Sequence, residues 1–191
     1  ASRAGLRMHH ARKSADFARL LRERAEAAAR QIEKQGGEAF SVDETCSAVL
    51  AALDRLRPCI TDTVSMLHAA WERKKNMLLE GAQGAMLDID FGTYPYVTSS
   101  NTTTGGCCTG SGLPPSAIDE VHGIFKTFTT RVGAGPFVTE LDGDPALKLR
   151  GTGENQWDEF GTTTRRPRRV GWLDLAVGRY SARINGVMDF Q

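Results

Sequence analysis

The 191-residue chain is 40% hydrophobic and 25% charged, a composition typical of a folded soluble protein and unlike that of a disordered one. Its net charge of +1 argues against a general nucleic-acid-binding surface, because such surfaces carry a clear basic excess. None of the four cysteines has the C-x-x-C spacing of a metal site, and no apolar run approaches the roughly 20 residues that cross a membrane. We therefore expect a reduced, cytoplasmic protein that does not bind membranes.

Three helices are predicted in the first part of the chain. The first covers residues 14–35, where apolar side chains recur at spacings of three and four. A capping-box pattern at Ser41 predicts the start of the second, and the third is expected over 59–73 with His68 in a structural role. We expect the inward-facing side chains to be Phe17, Leu21, Ala25, Ala28 and Ile32, then Val49, Leu50, Leu53 and Leu56, then Ile60, Val64, Leu67 and Trp71. These helices are interpreted as scaffold.

The stretch from 78 to 115 is the most informative part of the sequence. The apolar run Met77-Leu78-Leu79 predicts a buried strand that ends at Glu80-Gly81. The residues that follow are rich in Gly, Ser, Thr and Asn, and loops longer than about 12–15 residues are usually functional or disordered. Disorder is disfavoured by a set of apolar anchors: Met86, Leu87, Ile89, Phe91, Tyr94, Tyr96 and Val97. Because glycines let backbone approach closely and hydroxyls form hydrogen bonds, we interpret this segment as a binding loop for a polar ligand.

Four further elements are predicted after this loop. Pro114-Pro115-Ser116 predicts the start of a helix that faces inward through Ile118, Val121, Ile124, Phe125 and Phe128. Gly110-Ser111-Gly112 could hold a phosphate at that helix start, although ordinary capping explains it better. A strand is expected over 137–141, preceded by small residues, and an exposed excursion that could include a hairpin over 142–156. A last helix is predicted over 174–185, with Leu175, Val177 and Ile184 partly buried.

The densest charge cluster is Arg165-Arg166-Pro167-Arg168-Arg169. It can be a solvated basic turn or localisation-like patch, or a nucleic-acid contact, which would require a steep salt dependence and stacking aromatic residues. It can also bind a small anion, because guanidinium groups pair bidentately with carboxylates and phosphates. The three threonines that precede it favour the carboxylates of an amino acid, and the balanced net charge makes nucleic acid the weakest of the three readings.

Three blocks of sequence occur in the order found in one known family: EGAQGAMLDIDFGTYPYVTSSNTT (80–103), TRVGAGPFVTEL (130–141) and FGTTTRRPRRVGWLD (160–174). They closely resemble adenylosuccinate synthetase, the enzyme that joins aspartate to inosine monophosphate (IMP) with hydrolysis of GTP. The resemblance implies an α/β fold, here part of a large mixed sheet flanked by helices and distantly like the phosphate-loop nucleotide hydrolases. Residues 1–75 would be mainly helical, and 76–191 would carry sheet, substrate loops and helices, all within one catalytic domain.

The resemblance also implies roles for individual residues. Gln83 matches the glutamine whose amide contacts the purine near its 6-oxygen, where a neutral donor can stabilise developing negative charge. Thr98 matches the threonine that binds the 5′-phosphate, and Val132 lies where the family shapes its nucleotide site. Arg3 matches an arginine that reaches into the neighbouring subunit's site, which implies a homodimer.

The mobile loop that captures aspartate in the family corresponds to residues 162–168. Its implied members are Thr162, Thr163, Thr164, Arg165, Arg166, Pro167 and Arg168. Arg166 matches the arginine shared by aspartate and IMP, and Arg168 the one that also reaches GTP. Arg165 departs from the family, which commonly has glycine there. If the position requires a positive φ, a residue other than glycine costs roughly a kcal/mol or more.

The family's phosphate loop has no counterpart in this sequence, which contains no G-x-x-x-x-G-K-[ST] motif. The phosphate loop with its catalytic Asp, the catalytic His, the guanine-reading Lys-Asp element and the ligands of Mg²⁺ are all expected outside the chain. We therefore expect a central fragment that makes no adenylosuccinate alone. A non-catalytic nucleotide-binding or interaction module derived from the enzyme is the alternative. An upstream phosphate-loop motif would favour the enzyme, and a true start codon at residue 1 the module.

Overall fold

The computed structural model describes residues 5–12, 14–162, 165–187 and 189–190, and they fall into two compact units that meet in sequence between Asp62 and Thr63. The described residues form both helices and short strands, which agrees with the prediction that the fold contains both types of element. No helix in this part of the chain is long and apolar enough to cross a membrane. All four cysteines are free thiols.

The first unit is built on two packed helices, α1 (Ser14–Lys34) and α2 (Val42–Leu56), with 3-10 turns at Met8–Arg12 and Arg57–Cys59. The predicted cap at Ser41 is confirmed, because its Oγ accepts the Glu44 N–H at 3.3 Å. The buried core consists of Ala11, Phe17, Leu21, Ala25, Cys46 and Leu53.

The inward faces of these helices are only partly as predicted. Ala28 is exposed and Ala29 is buried in its place, because a spacing of four continues the stripe through Leu21 and Ala25 to position 29. Leu56, expected inside, is 51% exposed at the last position of α2.

In the second unit the described residues form four helices and four short strands. They are α3 (Thr63–Glu72), α4 (Thr104–Ser111), β1 (His122–Gly123), β2 (Phe128–Arg131), α5 (Gly143–Arg150), β3 (Arg169–Trp172), α6 (Leu175–Asn185) and β4 (Asp189–Phe190), with 3-10 turns at Ala85–Leu87 and Pro115–Ala117. β1 pairs with β4 in parallel, and β2 pairs with β3 antiparallel, so that Phe128 lies opposite Trp172 and Arg131 opposite Arg169. The sheets of the described residues are therefore two separate pairs of strands.

The strand predicted at Met77-Leu78-Leu79 is wrong. No regular structure forms there, and Leu78 is 91% exposed. A strand must pair its backbone N–H and C=O groups with a neighbour, and no strand among the described residues lies beside this run. The third helix is also shorter than predicted, since it begins at Thr63 after the 3-10 turn that contains Pro58, and Val64 is 49% exposed.

The helix predicted from Pro114 is wrong as well. Only the 3-10 turn Pro115–Ala117 forms, the two-residue strand β1 and the start of β2 are the regular elements of the remaining span, and Ile124 is 79% exposed. The β-branched residues of this segment favour extended backbone over helix. The glycine-rich turn before it does not precede a helix start. Gly110 and Ser111 belong to α4, and Gly112 ends that helix in the left-handed conformation at φ +78°.

In the last third of the chain the predicted strand is almost absent, and the final helix forms as predicted. The predicted strand 137–141 is reduced to one bridge between Glu140 and Gly171. The excursion 142–156 is largely exposed, as predicted, and it contains helix α5, whose first turn suits Asp144 and Pro145. The final helix is confirmed as α6, whose N-cap Asp174 accepts two backbone N–H groups at 3.0 and 3.1 Å, although Leu175 is 62% exposed.

Candidate functional site

The predicted binding loop is folded around the carboxylate of Asp88, which is fully buried. One carboxylate oxygen accepts the N–H groups of Asp90 at 2.9 Å and Phe91 at 3.0 Å; the other accepts those of Thr102 at 2.7 Å and Thr103 at 3.4 Å. Burial alone raises the pKa of Asp88, but the four backbone donors outweigh it, so the net pKa lies below its ordinary value. The ionised carboxylate thus joins two segments of the loop that are distant in sequence.

Two glycines let the same loop fold tightly. A Cβ at Gly92 would lie 2.4 Å from the Met86 carbonyl oxygen, and one at Gly106 would lie 2.2 Å from that of Asn101. Any other residue at either position would force the backbone apart. The close approaches require glycine, and they make the segment a compact loop, as its apolar anchors predicted.

Helix α6 supports the binding loop from one side. The Asn185 side chain accepts the Thr104 N–H at 2.8 Å, its backbone carbonyl accepts the Thr104 hydroxyl at 2.9 Å, and the Tyr180 hydroxyl donates to the Phe91 carbonyl at 2.8 Å. The first of these bonds satisfies an N–H at the start of α4. The sequence did not predict helix α4, because its Gly- and Thr-rich segment has low intrinsic helix propensity. The long-range hydrogen bonds from α6 account for its formation.

Gln83 lies at the entrance to the binding loop and lines a cleft of about 380 Å³ together with Asn101, Thr102 and Gly106. Its backbone adopts φ +62°, a conformation that is uncommon for a residue other than glycine and that concentrates at functional sites. The Thr102 hydroxyl donates to the neighbouring Gly84 carbonyl at 2.8 Å, which fixes the backbone beside Gln83. The amide is exposed and therefore available to a ligand in the cleft.

Arg131, at the end of β2, connects the segments that carry Thr98 and Val132. Its Nε–H donates to the Ala134 carbonyl at 3.0 Å, and one terminal nitrogen donates to the Thr93 hydroxyl at 3.1 Å and the Tyr96 carbonyl at 3.0 Å. Thr98 follows this turn and is half-buried, whereas Val132 is 50% exposed. Burial, then the nearby charge of Arg169, lowers the pKa of Arg131. Sequence reasoning did not identify this arginine.

The tip of the arginine cluster is a tight exposed turn. Arg165 N–H donates to the Gly161 carbonyl, and Gly161 N–H donates to the Arg166 carbonyl, both at 2.8 Å. Arg165 has φ +53°, which confirms that this position adopts the conformation that favours glycine. Thr162, Arg166 and Pro167 are exposed. Thr163 and Thr164 lie outside the described residues, as does Arg3.

Arg168 and Arg169 have carboxylate partners within the chain. Arg168 donates to Glu159 at 2.8 Å, and Lys126 donates to the other oxygen of the same carboxylate at 2.5 Å. Arg169 pairs bidentately with Glu140, with Nε to Oε1 at 2.6 Å, and this hydrogen bonding is the main reason that the pKa of Glu140 lies below its ordinary value.

Arg169 also holds the turn that follows β2, donating to the carbonyls of Gly133 at 3.1 Å and Gly135 at 2.9 Å. The arginine cluster, for which the sequence left a basic turn, a nucleic-acid contact and an anion site open, is therefore divided. Its tip, Arg165 and Arg166, is exposed, and its base holds the fold together. The partner Glu159 was missed because nothing in the sequence distinguishes this glutamate from its exposed neighbours.

No group of three or more His, Cys, Asp or Glu residues in the described part of the chain is placed to hold a metal ion. The carboxylates described above are already occupied by backbone N–H groups or basic side chains. We therefore assign no Mg²⁺ ligand to these residues.

The adenylosuccinate synthetase family model matches residues 1–191. An adenylosuccinate synthetase from Kineococcus radiotolerans is 50% identical over 176 residues, which are 90% of this chain and 40% of the relative, and one from a Nocardioides species is 53% identical over 152 residues, 80% of this chain and 34% of the relative. The structure of a fully ligated adenylosuccinate synthetase from Plasmodium falciparum superimposes with a TM-score of 0.88 at 37% identity, over all of this chain and 43% of that one. The chain thus spans about 40% of the length of its relatives, and it belongs to the adenylosuccinate synthetase family.

Proposed function

We propose that the protein containing this chain joins L-aspartate to IMP with hydrolysis of GTP, giving adenylosuccinate, GDP and phosphate. Family membership over the whole chain supports this, and so does the geometry of the binding loop. The observation that carries the proposal is the position of Gln83, exposed at a cleft on a loop that Asp88 and α6 hold in place. A neutral donor on a held backbone beside a cleft suits the stabilisation of a developing charge.

In the proposed reaction, GTP phosphorylates the purine 6-oxygen and the aspartate amine then displaces the phosphate. Gln83 donates to the base at that oxygen, and Thr98 binds the 5′-phosphate with its hydroxyl. Val132 borders the nucleotide, and Arg3 reaches IMP from the partner subunit of a homodimer. Mg²⁺ would neutralise phosphate charge during the transfer.

Aspartate binding is proposed for the turn that includes Thr162, Thr163, Thr164, Arg165 and Pro167, with two arginines in specific roles. Arg166 would contact both aspartate and IMP, and Arg168 both aspartate and GTP, since guanidinium forks suit carboxylates and phosphates. The exposed tip supports this assignment. The internal pairing of the cluster's base lowers the free positive charge that a nucleic acid would require.

The two small sheets are proposed to belong to a larger mixed sheet within one catalytic domain, related to the phosphate-loop hydrolases. The TM-score of 0.88 to the solved relative supports this. Each described sheet has only two strands, so both of its strands have an edge that could pair with a further strand. A cytoplasmic location remains part of the same proposal.

The test is the Gln83→Ala variant of the full-length protein that contains this chain. An amide that acts mainly in the transition state contributes about 2.7–4 kcal/mol, so kcat should fall by roughly 100–1,000-fold while the KM for IMP changes little. The exposed Gln156, changed to Ala, serves as the control and should keep parental kinetics. A variant with parental kcat and a raised KM would make Gln83 a binding residue only. A parent protein that binds IMP without turnover would instead be a non-catalytic nucleotide-binding module.

A further inference from the structure

Glu159 is a buried acid with no role in the proposed site, and its carboxylate is shared by two cations. Its side chain is 9% exposed. Lys126 Nζ lies 2.5 Å from one carboxylate oxygen, and Arg168 lies 2.8 Å from the other. The two cations come from different parts of the chain, just before β2 and just before β3. The arrangement brings one negative and two positive charges together at a partly buried position.

The same pair of residues forms the base of the arginine turn through the backbone. Arg168 N–H donates to the Glu159 carbonyl at 2.9 Å, and a bridge between Phe160 and Pro167 follows directly. Arg150 adds a bond from its guanidinium to the Arg168 carbonyl at 2.6 Å. Backbone and side-chain contacts therefore converge on Arg168, so its guanidinium is held in one position relative to the exposed tip of the turn.

Arg168 keeps unused hydrogen-bonding capacity. Only one of its terminal nitrogens donates to Glu159, and its Nε–H is buried without an acceptor among the described residues. A buried donor without a partner is rare in folded proteins. The excess of one positive charge suits an anionic ligand at this arginine, whose side chain is 28% exposed and whose second terminal nitrogen does not donate to Glu159.

We propose that Glu159 is a positioning residue for Arg168, and that it fixes the guanidinium so that its second terminal nitrogen meets a carboxylate of the incoming amino dicarboxylic acid. This inference rests on the proposed function, and it concerns aspartate first, with a smaller effect on GTP and none on IMP. Lys126 assists by occupying the second oxygen of Glu159, which prevents that carboxylate from taking up both arms of the guanidinium.

The inference is tested with Glu159→Gln in the full-length protein, because glutamine keeps the shape of the side chain and loses the charge. The aspartate KM should rise about tenfold or more, as expected when a charge-assisted hydrogen bond is misplaced. The KM for IMP should stay within about twofold of the parent, and the KM for GTP should rise less than that for aspartate, because Arg168 is also proposed to reach GTP. A purely structural role would disturb all three substrates together.

A double-mutant cycle decides whether Glu159 acts through Arg168. In an Arg168→Leu background, Glu159→Gln should change the aspartate KM by less than about twofold, because the residue it positions is gone. Glu140→Gln is the matched control. It removes the partner of Arg169, the adjacent arginine, and its effect should multiply with that of Arg168→Leu.

Equal fold-changes for Glu159→Gln in both backgrounds would overturn the inference, as would a parental aspartate KM in the single variant. If Glu159→Gln does not fold, Glu159→Asp goes through the same cycle with the same expectation, because a shorter acid cannot hold Arg168 in place. A parent protein that makes no adenylosuccinate overturns the proposed function and this inference with it. A working parent whose variants fail the cycle overturns this inference alone.

Discussion

Replacing Asp88 with Asn should destabilise the protein far more than an ordinary change of one side-chain atom. The Asn carbonyl oxygen can still accept the N–H groups of Asp90 and Phe91. Its NH₂ group, however, would face the N–H donors of Thr102 and Thr103, which now bond to the second carboxylate oxygen at 2.7 and 3.4 Å. The N–H groups of Thr102 and Thr103 would then face the NH₂ donor of the asparagine, without an acceptor, at a fully buried position.

The size of the effect follows from these distances. A hydrogen bond to a charged group contributes about 1.5–3 kcal/mol, and an unpaired buried donor costs about 1–3 kcal/mol. The bond at 2.7 Å carries most of the loss, since the one at 3.4 Å is long and weak. We therefore expect Asp88→Asn to lower the free energy of unfolding by about 2–4 kcal/mol.

Urea denaturation of the full-length parent and variant measures this difference. Asp90→Asn is the matched control, because Asp90 is an exposed acid in the same loop with a side-chain bond to Asn101 at 3.0 Å. It should cost less than about 1 kcal/mol, as surface substitutions usually do. Equal losses for the two variants would refute the claim that the Asp88 carboxylate organises the loop.

The same comparison has a defined pH dependence. The pKa of Asp88 is lowered in the folded protein, so its contribution is fully present above the ordinary value of 3.8 and is lost as the pH falls through the lower folded-state value. The stability difference between parent and Asp88→Asn should be constant near neutral pH and shrink below 3.8. A difference that grows as the pH is lowered would contradict the assigned direction.

Three further predictions follow from the loop geometry and the proposed dimer. Gly92→Ala should lower stability by about 1–3 kcal/mol or more, because its Cβ would meet a carbonyl oxygen at 2.4 Å, whereas Gly84→Ala, with open space around it, should not, as urea denaturation can show. Arg165→Gly should raise stability by up to about 1 kcal/mol by relieving the positive φ, and any loss would argue against strain there. Arg3→Leu should weaken IMP binding. Mixing the Arg3→Leu variant with the Gln83→Ala variant should restore activity through heterodimers that contain one intact site. A mixture no more active than the two variants apart would place Arg3 within its own subunit.

The sequence by itself determined the elements whose signals are local. Helices α1, α2 and α6 were predicted nearly to their ends, because a helix pairs its own backbone groups and its caps lie within a few residues. The side chain of Ser41 caps its helix as its position predicted, and the last helix begins beside Asp174, which caps it. The family resemblance likewise rests on contiguous blocks, and the match of the family model to residues 1–191 confirms it.

The tertiary structure alone decided which distant groups meet. The apolar run at 77–79 is not a strand, because strand formation depends on a neighbour that a local pattern cannot reveal. The five-residue arginine cluster looks uniform in sequence, yet its tip is exposed while Arg168 and Arg169 pair with Glu159 and Glu140. The reason is physical. A charged side chain takes its role from the partner that folding brings within about 3 Å, and that partner lies many residues away along the chain.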